Sequence, residues 1–248
     1  TPPAAVATKP AVVAVETKPV PVAAAPVPAP VAPGKPAVEP KVQSALANSQ
    51  IDKRVQQLTP AQLAENQYRE AAALLNQGRL AEAQEGFRQA LQHNPAHTGA
   101  RQGLVGLLVD AKRSGEAEQV LQDGLRVNPN QPNFAMLLAN LQFERGDLNG
   151  AVETLQRSAP SAAGIPDYLA RLAALEQRLG RHREAVEHYL AALRLAPQSG
   201  VWLMGLGISL QALDRNAEAQ DAFRRARASN TLSPELQAFV DQRLRQLQ

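Results

Sequence analysis

Gly180-Arg181-His182-Arg183-Glu184-Ala185-Val186-Glu187-His188-Tyr189 decides the reading of this chain. A glycine precedes a charged run in which a small Ala185 and a large Tyr189 stand four apart. Residues four apart share one face of a helix. The same arrangement recurs in both directions at a spacing of 34 residues. The small position is filled by Ala83, Ala117, Ala151, Ala185 and Ala219, the large one by Phe87, Leu121, Leu155, Tyr189 and Phe223. Three residues later come Ala90, Gly124, Ser158, Ala192 and Ala226, again small. Five further on stand Pro95, Pro129 and Pro197, with Ala163 and Thr231 in the other two units. Five before each alanine lie Gly78, Gly146 and Gly180, with Lys112 and Asp214 in the remaining two.

This period and residue order resembles the tetratricopeptide repeat. Each unit then reads as two antiparallel helices. A glycine ends the first helix by allowing a left-handed turn. The small residues let the two helices approach, the large ones fill the space between neighbouring units, and proline stops the second helix. One such unit cannot bury its apolar face alone, so the stack is the folding unit. The predicted architecture is all-α, a superhelix of about five repeats at 64–97, 98–131, 132–165, 166–199 and 200–233, within a repeat domain spanning 59–248. The dipeptide Glu-Ala recurs in register at 82–83, 116–117, 184–185 and 218–219. The first helices keep helical spacing through Phe134, Leu138 and Leu141, then Tyr168, Leu172 and Leu175, then Trp202 and Leu206, about one place off the usual consensus. Pro160 is expected to shorten the second helix of the third repeat, leaving 161–166 as an irregular joint with altered curvature. Thr59-Pro60-Ala61-Gln62 carries the signature of a helix start, with a capping threonine, proline at the first turn and glutamine three after the cap. Ser233-Pro234 opens a predicted C-terminal capping helix over 234–247, with Asp241, Arg243 and Arg245 on its solvent side.

Residues 1–41 are a different polymer. They contain eleven of the 19 prolines of this 248-residue chain, mostly among Ala and Val, as in Lys18-Pro19-Val20-Pro21-Val22. Proline removes backbone donors and keeps its predecessor out of the helical region, so a disordered, extended spacer is expected. Fully extended, it would reach on the order of 100 Å. The next stretch, 42–58, places Val42, Leu46, Ile51, Val55 and Leu58 at spacings of a weak amphipathic linker helix. The chain begins at Thr1 rather than methionine, which leads us to expect a removed signal peptide or an anchoring helix upstream.

Charge and composition exclude several functions. The chain holds 26 Lys and Arg against 23 Asp and Glu, net +3, and no cysteine. Disulfides, thiolate metal sites and a cysteine nucleophile are therefore absent. Four of the lysines and two of the glutamates lie in 1–41, leaving the repeats nearly neutral, so a nucleic-acid partner is not expected. The four histidines, His93, His97, His182 and His188, show no ligand spacing and read as surface or interhelix residues. Gly103-Leu104-Val105-Gly106 is too short for a phosphate loop, and Gly205-Leu206-Gly207 reads as a close-packing site inside a helix. No catalytic arrangement, metal site or cofactor is predicted, and the repeats leave no room for a catalytic domain.

Several phrases go beyond what the repeat requires. These are Leu58 through Arg69, Gly180 through Tyr189, Gly200-Val201-Trp202-Leu203-Met204-Gly205-Leu206-Gly207-Ile208-Ser209-Leu210-Gln211-Ala212, and Leu232 through Val240. Across roughly 53–248 the chain resembles the MshN family of MSHA (mannose-sensitive haemagglutinin) pilus biogenesis proteins. That resemblance implies an inner-membrane protein whose upstream membrane helix lies outside this chain, with its repeats on the periplasmic face. It further implies a role in assembling a type IV pilus, and no catalytic motif. The implied partners are pilus assembly-platform or secretin components, with a homodimer compatible with an exposed terminal helix. A soluble or periplasmic regulator or chaperone of an envelope enzyme or secretion client is the alternative reading.

The expected work is protein binding on the concave face, lined by the first helices. The register nominates Tyr68, Arg69, Gln102, Met136, Asn140, Arg171, Arg178, Met204 and Gln211. Met and Tyr offer adaptable apolar contact, and the arginines offer carboxylate pairing. Arg171 and Arg178, seven apart, read equally as a solvated helix face, and Met136 and Met204 equally as core. Trp202 reads as a core wedge between repeats four and five.

Overall fold

The computed structural model describes residues 58–247. The predicted spacer and all but Leu58 of the predicted linker lie outside them. Among the described residues there are eleven α-helices and no strand. They run α1 (Pro60–Asn76), α2 (Leu80–His93), α3 (Thr98–Asp110), α4 (Ser114–Val127), α5 (Pro132–Glu144) and α6 (Leu148–Ser158). A short 3-10 turn, Ala159–Ala162, leads on to α7 (Pro166–Arg178), α8 (His182–Leu195), α9 (Gly200–Ala212), α10 (Asn216–Ala228) and α11 (Pro234–Gln246). From α3 onward, first helices start at 98, 132, 166 and 200 and second helices at 114, 148, 182 and 216, so one unit repeats four times in strict register.

Local chemistry sets these boundaries. Thr59 and Gln62 form a reciprocal capping box at the start of α1. The imidazole of His97 caps α3, its Nδ1 accepting from the Ala100 amide at 3.1 Å. Asp147 caps α6 by accepting from the Gly150 amide at 2.9 Å. The recurring Glu-Ala dipeptide has a structural reason on its glutamate side. Glu116 and Glu218 sit in the first turn of a second helix and each receives a two-pronged arginine: Arg113 at 2.6 and 2.7 Å, Arg215 at 2.8 and 2.7 Å. Arg79 grips Glu82 in the same way. These hydrogen bonds hold the carboxyls of Glu82, Glu116 and Glu218 below the usual carboxylate range.

Gly78, Gly146 and Gly180 turn the chain with φ of 75°, 88° and 72°. Lys112 (φ 61°) and Asp214 (φ 59°) adopt the same left-handed conformation at the same repeat position without the freedom of glycine. A lysine there crowds its Cβ against its own backbone. Lys112→Gly is therefore expected to raise stability by about 0.5–1 kcal/mol, net of the added freedom of the unfolded chain. Urea titration checks this, and an unchanged or lower midpoint would refute it.

The five alanines of the small position are fully buried, as are Phe87, Leu121, Leu155 and Phe223, and Tyr189 nearly so. Proline stops α2, α4 and α8 two residues after their last helical residue. In the third unit α6 ends after 11 residues, where α4 and α8 have 14, and the 3-10 turn containing Pro160 replaces its last turn. The two ends of the stack are built differently. Val240 and Leu244 of α11 are buried against the last repeat, and Arg227 meets Asp241 at 3.4 Å. At the first repeat, Asn66 and Glu70 stand where the later units carry Phe134, Tyr168 and Trp202, and Leu104, Leu138, Leu172 and Leu206. That substitution leaves a polar outer face on α1.

Two polar links, one buried and one partly buried, tie neighbouring helices. Thr154 donates to Gln142 at 2.9 Å in the third unit. At the same two repeat positions in the fourth unit, His188 Nδ1 meets Glu176 Oε2 at 2.7 Å, and Gln156 of α6 donates to the other carboxylate oxygen at 3.1 Å. Glu176 is completely buried. Units one, two and five are apolar at the Glu176 position, with Leu74, Leu108 and Leu210.

Candidate functional site

First helices succeed one another along one face, with α1 against α3 and α7 against α9. On this face α5, α7 and α9 enclose a cleft of about 510 Å³. Its floor is Ala170 and Ala174 of α7, one turn apart on the helix. Met136 of α5 forms one wall and Trp202 with Val201 of α9 the other. Tyr189 reaches in from α8, and Asp167 and Arg171 bring the charges.

Each lining group has a local cause. Trp202 is half-buried and packs on Leu169, Ala170 and Ala192, the wedge between repeats four and five that the sequence predicts. It also lines the cleft, a second role not anticipated. Tyr189 fits beneath α9 because residue 205 is glycine, and burial pushes its hydroxyl up to about 12, opposed by Arg178. The hydroxyl therefore stays protonated at neutral pH. Gln177 of α7 donates to the Gly205 carbonyl at 2.7 Å and to Ser209 Oγ at 2.6 Å, fixing α7 to α9 on the adjacent turn.

The nominated residues separate into groups. Met136 and Arg171 meet in the cleft. Arg178 is exposed with its guanidinium 4.8 Å from the Phe143 ring centroid, stacked across to α5. Met204 is half-buried on the C-terminal core, Asn140 and Gln211 are half-buried, and Gln102 is exposed. Tyr68 and Arg69 belong to other contacts. Tyr68 stacks on His97 with centroids 4.8 Å apart, and Arg69 binds Glu65 at 2.7 Å. His97 Nε2 holds the second oxygen of Glu65 at 3.2 Å, so the acid of the first unit is taken up from two sides. Asp167, Ala170, Ala174, Tyr189 and Val201 were missing from the sequence-based set. Repeat register carried a signal for two of them: 170 is the Met136 position one unit on, and 174 the Asn140 position.

The histidines fall where local packing puts them. His97 and His188 bridge helices, His93 is exposed, and His182 has a buried Nδ1 with no hydrogen-bond partner among the described residues. Among those residues no helix is long and apolar enough to cross a membrane.

Family models for the tetratricopeptide repeat match residues 74–141 and 170–234, together just over half of the chain. The chain is a tetratricopeptide-repeat protein. Solved structures of other proteins superimpose on the chain over most of their own length. A crystal structure of MamA shares 16% identity, covering 67% of this chain and 91% of MamA, with a TM-score of 0.57. YrrB, a tetratricopeptide-repeat protein with an unusual peptide-binding site, also shares 16%, covering 72% of this chain and 92% of YrrB, with a TM-score of 0.60. At such identities the likeness carries the fold alone. No curated protein sequence matches the chain significantly.

Proposed function

We propose that this tetratricopeptide-repeat protein is a non-catalytic scaffold that receives an extended segment of a partner protein in the cleft between α5, α7 and α9. The repeats themselves imply a protein–protein interaction scaffold. The observation that carries the cleft assignment is the meeting of Met136, Trp202 and Arg171 around the small floor of Ala170 and Ala174. An apolar trough with a few convergent polar groups suits a ligand side chain and its flanking charges. A peptide-binding site in YrrB, which shares the fold, agrees with that use.

The scaffold serves assembly of an MSHA-like type IV pilus on the periplasmic face of the inner membrane, held there by a membrane helix upstream. The phrases at 58–69, 180–189, 200–212 and 232–240 support this reading, which names assembly-platform or secretin components as partners. Crosslinking followed by pull-down from envelope membranes tests it, with the full-length protein beside a Met136→Asp/Arg171→Glu variant of unchanged circular-dichroism melt. Capture of those components by the wild type and not by the variant is the expected result. Deletion of the gene should abolish piliation while pilin synthesis continues. Capture of a single envelope enzyme or secretion client instead would replace the pilus reading with that of a regulator or chaperone.

A further inference from the structure

Asp167 and Arg171 occupy the same repeat positions as Glu65 and Arg69. In the first unit that acid and base close on each other at 2.7 Å, and His97 takes the remaining carboxylate oxygen. In the fourth unit they do not: the aspartate is one methylene shorter, and among the described residues neither Asp167 nor Arg171 makes an ion pair. The other units lack the pair altogether, with Gly99 and Gly103, Asn133 and Leu137, and Val201 and Gly205. The one open acid–base pair of this register therefore lies in the cleft, exposed, beside its apolar walls.

We infer that the cleft recognises a partner's extended segment bearing one basic and one acidic residue two positions apart, astride a proline or similar apolar residue. This rests on the cleft being the binding face. The spacing follows from geometry. Four residues of helix rise about 6 Å, and two residues of extended or polyproline chain span about 6–7 Å. A segment lying along α7 thus sets its base opposite Asp167 and its acid opposite Arg171. The apolar residue between them packs on Trp202 and Met136 over the alanine floor. Aromatic-lined grooves suit polyproline segments because these are already extended and lose little freedom on binding. Both orders of the charges satisfy the pair, with opposite chain directions.

The probes are three fluorescein-labelled dodecapeptides of Ala, Val and Pro, centred on Glu-Pro-Lys, Lys-Pro-Glu or Gln-Pro-Gln. They are titrated into the full chain and read by fluorescence anisotropy. The charged order whose chain direction the cleft accepts, or both if it accepts either, is expected to bind about fivefold more tightly than the neutral peptide, the scale of two partly exposed ion pairs. Asp167→Ala and Arg171→Ala should each remove most of that advantage, and added salt should shrink it. Asp167→Glu keeps every charge and should still weaken binding about threefold, because the longer side chain closes on Arg171 as Glu65 does on Arg69. Equal binding of charged and neutral peptides, or indifference to both alanine variants, overturns the inference. In that case loss of the neutral peptide in Met136→Asp leaves the concave-face reading standing, and its retention removes that reading too. Sedimentation showing self-association that Arg171→Glu abolishes, with no peptide binding, would assign the cleft to a second copy and overturn the inference as well.

Discussion

His188→Ala is expected to cost about 2–3 kcal/mol in a urea titration at pH 6, the penalty of leaving a buried carboxyl acceptor short of a hydrogen bond. Glu176 is fully buried and His188 sits 2.7 Å from one of its oxygens. Without the imidazole that carboxylate keeps only the amide of Gln156. The chain supplies its own control. The corresponding residues of the second unit are Leu108 and Val120, an apolar pair in the same backbone setting. Glu176→Leu combined with His188→Val should therefore return stability to within about 1 kcal/mol of wild type, since well-packed apolar pairs replace buried ion pairs at little cost. If the double variant is as unstable as the single one, the network is more than a local tie.

The same pair predicts a pH dependence. The hydrogen bond that His188 donates to Glu176 holds its pKa above the ordinary 6.5, with the Glu187 charge adding to it and burial opposing it. A group whose pKa is raised on folding stabilises the native state most when protonated in both states. Its contribution is complete below about pH 6.5 and is lost as pH rises through the elevated value. The apolar double variant should lack this component between mildly acidic and mildly alkaline pH.

Gly205→Val should be the most damaging change near the cleft, at about 2–3 kcal/mol of stability. A side chain at 205 would overlap the Tyr189 ring, and backbone retreat would break the two hydrogen bonds from Gln177. The sequence shows the rule. An aromatic at the large position is followed sixteen residues later by glycine where another repeat follows, as in Phe87 with Gly103 and Tyr189 with Gly205; Phe223, which precedes the capping helix, is followed by Phe239. A leucine there is followed by a bulky residue, as in Leu121 with Leu137 and Leu155 with Arg171. At Gly103 an added Cβ would lie 2.6 Å from the Phe87 ring, a distance real side chains do not tolerate. Tyr189→Leu in the Gly205→Val background should therefore recover at least about 1 kcal/mol, a coupling measurable in a double-mutant cycle. The peptide affinity of Gly205→Val should fall with its stability, because a displaced Tyr189 enters the cleft.

The period of 34 residues made the helices legible before any coordinates, since small, large and stop positions recur in one order. Pro160 likewise announced the shortened α6. The cleft was harder to read. The register nominated Met136 and Arg171, which the structure brings together in the cleft, and it nominated Tyr68 and Arg69 by the same logic. What separates them is tertiary. His97 and Glu65 engage the first unit, whereas Asp167 and Arg171 make no ion pair among the described residues. Trp202 also shows why a single role per residue misleads. An indole large enough to wedge two repeats apart leaves an edge for the groove.

The shortened α6 has a mechanical consequence. In a one-dimensional array each unit is held by its neighbours alone, so rupture starts at the poorest junction rather than at the centre of mass. Here the turn at 159–162 removes one helical turn from that junction, and the Gln156–Glu176–His188 link is the bolt across it. Loosening the bolt would let the N-terminal three units and the C-terminal two melt as separate blocks. Amide exchange would then be expected to show two plateaus, against one for the intact protein.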